Sequence, residues 1–85
     1  MPYRILLTKQ VEKQLNALPH QVASRIEQRI EALHTDPRPS GVKKLRGQTR
    51  TYRVRVGNWR IIYTIDDSIQ EITLLTLDDR KDVYR

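Results

Sequence analysis

The chain has 85 residues, with 16 Lys and Arg against 10 Asp and Glu and a formal net charge of +6, so it fits one small domain around a single core and excludes a multidomain machine. It contains no cysteine, which rules out disulfides, thiolate zinc sites and a cysteine nucleophile and points to the cytoplasm as its compartment. Residues 1–8 carry no basic-then-apolar leader, and no apolar run approaches the roughly 20 residues of a membrane span, so a soluble domain over residues 1–85 with no membrane partner is expected.

In chain order, Tyr3 to Thr8 alternates, with Tyr3, Ile5 and Leu7 on one side and Arg4, Leu6 and Thr8 on the other, and is predicted as a strand. Thr8 is placed to cap a helix over Lys9 to Leu18, whose Val11, Leu15 and Leu18 form one apolar stripe. Pro19 ends it. A second helix reaches His34 with Val22, Ile26, Ile30 and Leu33 at helical spacing, and the two make a hairpin. Pro37, Pro39, Ser40 and Gly41 mark a loop.

Three strands follow. Tyr52 to Val56 alternates strictly, Gly57-Asn58 makes a two-residue hairpin connection, and Trp59 to Asp66 returns. After the Asp66-Asp67-Ser68 turn, Ile69 to Leu77 reads as the third strand of an antiparallel meander, ending at the acidic Asp78-Asp79 step. The expected fold is α+β: an N-terminal strand, a helical hairpin and a three-stranded meander, forming one small sheet covered on one face by the helices.

The positive charge is local. Arg38, Lys43, Lys44, Arg46, Arg50, Arg53, Arg55 and Arg60 lie between Pro37 and Ile65 with no acidic residue among them, which points to a polyanionic partner. Strand phase sharpens this. Arg53 and Arg55 share the side away from Val54 and Val56, and a two-residue turn sets Val56 opposite Trp59 and Arg55 opposite Arg60. Like charges facing each other across a hairpin destabilise it, so three converging guanidinium groups call for an anion that neutralises them. A phosphodiester suits the planar fork of arginine, and Arg46 extends the patch. By the same parity Trp59 and Tyr63 fall on the core side with Ile61 and Ile65.

Other chemistries lack equipment. His20 and His34 stand at opposite ends of a helix without a third ligand, so neither a metal nor another cofactor is expected. Three glycines make no phosphate-cradling loop, and no Ser-His-Asp arrangement is present. Tyr84, beside Arg80, Lys81 and Arg85, either stacks on an extruded base or packs on the sheet.

The string Lys44-Leu45-Arg46-Gly47, followed by Tyr52-Arg53-Val54-Arg55-Val56-Gly57-Asn58-Trp59-Arg60-Ile61-Ile62-Tyr63 and the closing Arg80-Lys81-Asp82-Val83-Tyr84-Arg85, resembles the RelE/ParE superfamily of toxins from type II toxin-antitoxin systems, and within it the RelE branch. The likeness runs over almost the whole chain. It implies a ribosome-dependent endoribonuclease, an mRNA interferase that cuts messenger RNA without a metal by attack of a 2′-hydroxyl on the adjacent phosphate. It also implies a cognate antitoxin, with which the toxin forms a hetero-oligomer, and the ribosome and mRNA as further partners.

In that light Arg53, Arg55, Arg60, Arg80 and Tyr84 are the expected catalytic residues, and Lys43, Lys44, Arg46, Arg50 and Lys81 the expected RNA-binding ones. Two positions depart from the family pattern. Arginines stand at 53 and 55 where some relatives have lysine, and Asp79 stands where many have histidine, so the general base is left unassigned. The alternative is a ParE-like toxin that inhibits DNA gyrase by protein contact, without nuclease activity.

Overall fold

The computed structural model describes residues 2–47 and 49–79. The expected site residues Arg80, Lys81 and Tyr84 lie outside the described residues. Strand β1 (Arg4–Leu7) leads into helices α1 (Lys9–Ala17) and α2 (His20–Leu33), then strands β2 (Lys43–Lys44), β3 (Thr51–Val56), β4 (Trp59–Asp66) and β5 (Glu71–Asp79). The sheet order is β1-β5-β4-β3-β2, with β1 parallel to β5 and every other pairing antiparallel. This is the expected α+β architecture with one strand added, because Lys43 and Lys44 pair with Arg53 and Tyr52 and extend the meander outward.

Local chemistry sets the helix ends. The Thr8 hydroxyl accepts from the Val11 amide at 3.3 Å, capping α1. Leu18 is extended at φ −85 and ψ 151, the region favoured before proline, and Pro19 stands as the N-cap of α2, just outside the helix, where its missing N–H is no loss. The helices bury Val11, Ile26, Ile30 and Leu33 against Val54, Ile61, Tyr63, Ile65, Ile72, Leu74 and Leu77, each aliphatic side chain contributing about 1.5–3 kcal/mol. All of these sheet residues lie on one face. Among the described residues, no helix lies on the other face.

The closing strand differs from expectation at both ends. It starts at Glu71, because Gln70 takes φ 53 in the turn and Ile69 stays 60% exposed. It runs through Asp78 and Asp79, expected to lie beyond it, because these pair with Arg60 and Trp59. Between them the register slips: Ile62 pairs with Thr76 but Tyr63 with Leu74, leaving Leu75 as an extra residue. This bulge explains why the core positions Ile72, Leu74 and Leu77 are not evenly spaced, and it brings Asp78 opposite Arg60.

Beyond Leu74, β1 has ended and α1 takes its place at the edge of β5. The Gln14 amide donates to the Leu77 carbonyl at 2.7 Å and accepts from the Leu77 amide at 2.8 Å, a pair of bonds otherwise made by a neighbouring strand.

Candidate phosphate-binding active site

The β3–β4 hairpin builds the site. Gly57 adopts φ +60, and Asn58 is not among the positive-φ residues, the pattern of a type II′ turn that matches the twist of the flanking strands. The turn fixes Val56 opposite Trp59, Arg55 opposite Arg60 and Arg53 opposite Ile62, as strand parity predicts. Lys43 of β2 pairs with Arg53 on its other side. Gly41, Lys43, Arg53, Arg55 and Arg60 together line a depression of about 300 Å³ on the face opposite α1 and α2.

The three guanidinium groups are not equivalent. Arg55 is exposed and Arg53 half-buried, and among the described residues neither forms an ion pair. Arg60 is only 8% exposed, and its Nε is buried without a hydrogen-bond partner. The carboxylate nearest in register is Asp78, whose Oδ2 stands 4.0 Å from Arg60 Nη2, too far for a hydrogen bond. A buried cation so weakly compensated is unfavourable to the folded chain. An anion entering the depression would meet several guanidinium groups able to donate charge-assisted hydrogen bonds to it.

The remaining expected RNA-binding residues are placed elsewhere. Lys44 pairs with Tyr52 and so faces away from Lys43. It shares a second depression, of about 440 Å³, with Leu45, Arg46, Gly47 and Thr49, so Arg46 does not line the arginine pocket as an extension of it. Arg50 takes φ 59 and pairs with Asp66 at 3.4 Å. The basic segment therefore divides, with Lys43 joining the three arginines and Lys44, Arg46 and Arg50 lying around the edge of the sheet.

A neighbouring corner has its arginines paired. Arg38 Nη2 donates to Asp67 Oδ2 at 2.8 Å and Nη1 to Oδ1 at 3.3 Å, while the Tyr3 hydroxyl donates to the same Oδ1 at 2.7 Å. These bonds, from Arg38 first and Tyr3 second, hold the Asp67 carboxyl below its ordinary range. Asp66 is likewise lowered, chiefly by the Ser68 hydroxyl at 2.6 Å. Arg38 also lies over the Tyr52 ring, 5.1 Å from its centroid. Tyr52 stacks on Tyr63 with centroids 6.1 Å apart, and burial pushes the Tyr63 phenol well above its usual value. Sequence reasoning missed this corner and the position of Asp78. The uneven Ile72, Leu74, Leu77 spacing was the available signal for the latter. For Arg38 no local pattern pointed to a partner so far along the chain.

No group of three potential metal ligands is found among the described residues, and none of their helices is long and apolar enough to cross a membrane.

Comparison with known proteins agrees with this fold. The family profile described as the ParE toxin of type II toxin-antitoxin system, parDE, matches residues 5–84. Toxin RelG of Mycobacterium tuberculosis is 31% identical over 86 residues, covering 100% of this chain and 99% of that protein. The archaeal RelE-RelB complex from Pyrococcus horikoshii superposes with a TM-score of 0.84 at 34% identity, over 94% of this chain and 97% of that one. The toxin-antitoxin complex RelBE2 of M. tuberculosis gives 0.82 at 27% identity, over 94% and 100%. A helical hairpin on a mixed five-stranded sheet, matched over nearly the whole chain by these relatives, thus defines a small toxin of the toxin-antitoxin kind. The chain belongs to the ParE toxin family of type II systems, on its RelE-like branch.

Proposed function

We propose that this toxin is a metal-independent endoribonuclease that cuts messenger RNA on the ribosome. The observation that carries the reading is the pocket in which Arg53, Arg55 and Arg60 converge with Lys43 and in which Arg60 is buried without a full partner. In the reaction the 2′-hydroxyl oxygen attacks the adjacent phosphorus, the bond to the 5′-oxygen of the next nucleotide breaks, and a 2′,3′-cyclic phosphate and a 5′-hydroxyl result. The 2′-hydroxyl loses a proton and the leaving oxygen gains one. Charge on the phosphorane rises toward a dianion, and guanidinium groups preset around it stabilise the transition state more than the ground state.

Arginine is a poor base, so these residues act as a clamp, and alignment of the RNA for in-line attack falls to the ribosome. Solved relatives from Pyrococcus horikoshii and Methanococcus jannaschii are RelE-RelB complexes, which supports a cognate antitoxin that forms a hetero-oligomer with this toxin in the cytoplasm. Arg80, Lys81 and Tyr84 are carried as site residues by the resemblance of the closing segment.

The test is translation with purified ribosomes and mapping of messenger 5′ ends. Discrete breaks bearing 5′-hydroxyls, lost in the Arg55→Ala variant, are expected; intact messenger at toxin levels that arrest growth overturns the reading. The family profile's ParE description favours a second reading, inhibition of DNA gyrase, so a supercoiling assay runs beside it. Gyrase inhibition unaffected by Arg55→Ala would replace the nuclease by a protein-binding toxin.

A further inference from the structure

We infer that Arg38 and Asp67 are positioning residues for the phosphate pocket: their ion pair straps the segment from Asp36 to Val42 onto the helix side of the sheet and thereby holds Gly41 and Lys43 on the pocket's rim. The inference rests on reading that pocket as the phosphate site.

The rim has little support of its own. Strand β2 is two residues long and has a neighbour on one side only, and so short a ladder at a sheet edge is marginal in water. Its continuation adds one backbone bond, from the Leu45 amide to the Thr51 carbonyl at 2.9 Å. The segment leading into it is anchored at two consecutive residues. The Tyr63 hydroxyl donates to the Pro37 carbonyl at 2.8 Å. The next residue, Arg38, makes its two-pronged bond to Asp67 and lies against the Tyr52 hydroxyl at 3.3 Å. Asp67 sits in the turn between β4 and β5, and its second bond, from Tyr3, ties that turn to the start of β1.

From Arg38 the path onward is narrow. Pro39 fixes one φ and accepts from the Val42 amide at 3.0 Å, and Gly41 takes φ +89, which side-chain-bearing residues rarely adopt. Lys43 then emerges on the opposite face beside Arg53. The anchor and the rim therefore lie on opposite sides of one sheet, joined by a few constrained residues, and neither Arg38 nor Asp67 lines the pocket.

Non-additivity separates positioning from general stabilisation. Arg38→Ala, Lys43→Ala and the double variant are compared by fluorescence anisotropy with a labelled 2′-deoxy hexanucleotide, which cannot be cut, and by cleavage in programmed ribosomes. Each single change is expected to weaken hexanucleotide binding about tenfold, the size of one lost charged hydrogen bond. The double variant is expected to bind no more weakly than Lys43→Ala alone. In cleavage, the toxin concentration for half-maximal rate should rise more than the saturated rate falls.

Multiplying losses in the double variant, or an Arg38→Ala protein that binds like the unaltered one, overturn the positioning role while leaving the nuclease reading intact. Failure of the unaltered protein to bind the hexanucleotide overturns it as well. Absence of messenger cleavage by the unaltered protein, with binding and its non-additivity preserved, strikes the nuclease reading alone. Should Arg38→Ala fail to fold, Asp67→Asn, which keeps the side-chain shape, takes its place with the same expected pattern.

Discussion

Two arginine-rich corners of this sheet lie a few residues apart and behave oppositely. At the Asp67 corner both arginines have partners: Arg38 is doubly bonded to a carboxylate and lies on an aromatic ring, and Arg50 has Asp66. In the hairpin pocket Arg53 and Arg55 form no ion pair among the described residues, and Arg60 is buried with its nearest registered carboxylate at 4.0 Å. Compensated charge holds loops in place. Concentrated uncompensated charge opposes folding, and a polyanion is the kind of ligand that would offset it.

The sharpest contrast is with the core. Ile26, fully buried beneath the sheet, should not tolerate aspartate: an unpaired carboxylate there is expected to remove more than about 4 kcal/mol, most of the stability of a domain this size. Loss of soluble expression and of the thermal transition checks it. Arg55→Ala should do the reverse, leaving the melt within about 0.5 kcal/mol of the original while lowering ribosomal cleavage by about 100-fold or more. Equal damage to both properties would erase the distinction between corner and pocket.

Arg60 sharpens it further. Replacing it with methionine removes a buried, poorly paired cation at similar volume, so the melting temperature should rise by a few degrees even as cleavage is lost. A fall in melting temperature would show that the 4.0 Å pairing with Asp78 already compensates the charge. Asp78→Asn takes away the carboxylate that stands 4.0 Å from that guanidinium and should tighten oligonucleotide binding several-fold, most visibly at low salt.

The smallest expected effect concerns acid. Because Asp67 is held below its ordinary pKa, the stability it adds is present at neutral pH, above the unfolded value near 3.9, and is lost as pH falls through the lowered one. Melting curves from neutral pH to about pH 3 should therefore steepen on the acid side, and Asp67→Asn should flatten that limb.

Much of this arrangement was legible in the sequence, for identifiable reasons. Strict alternation in Tyr52 to Val56 and the two-residue Gly57-Asn58 turn leave one register, and with it the convergence of Arg53, Arg55 and Arg60. Proline chemistry at Pro19 set the break between the helices. What escaped was non-local or irregular. The two-residue strand β2 has no periodicity to read. The bulge at Leu75 lets Asp78 reach Arg60 only because a residue is left over. The Arg38–Asp67 pair joins positions 29 apart. Arg46 was grouped with the pocket by proximity in the chain, whereas the sheet edge at Lys44 turns it toward a different depression.

The Gln14 side chain has a consequence for how the molecule meets its own copies. By engaging both the amide and the carbonyl of Leu77, it closes the stretch of β5 that β1 leaves uncovered, and a closed ladder offers no template for a foreign strand. Glutamate at that position would keep the acceptor and lose the donor, turning a shielded stretch of backbone into a sticky one.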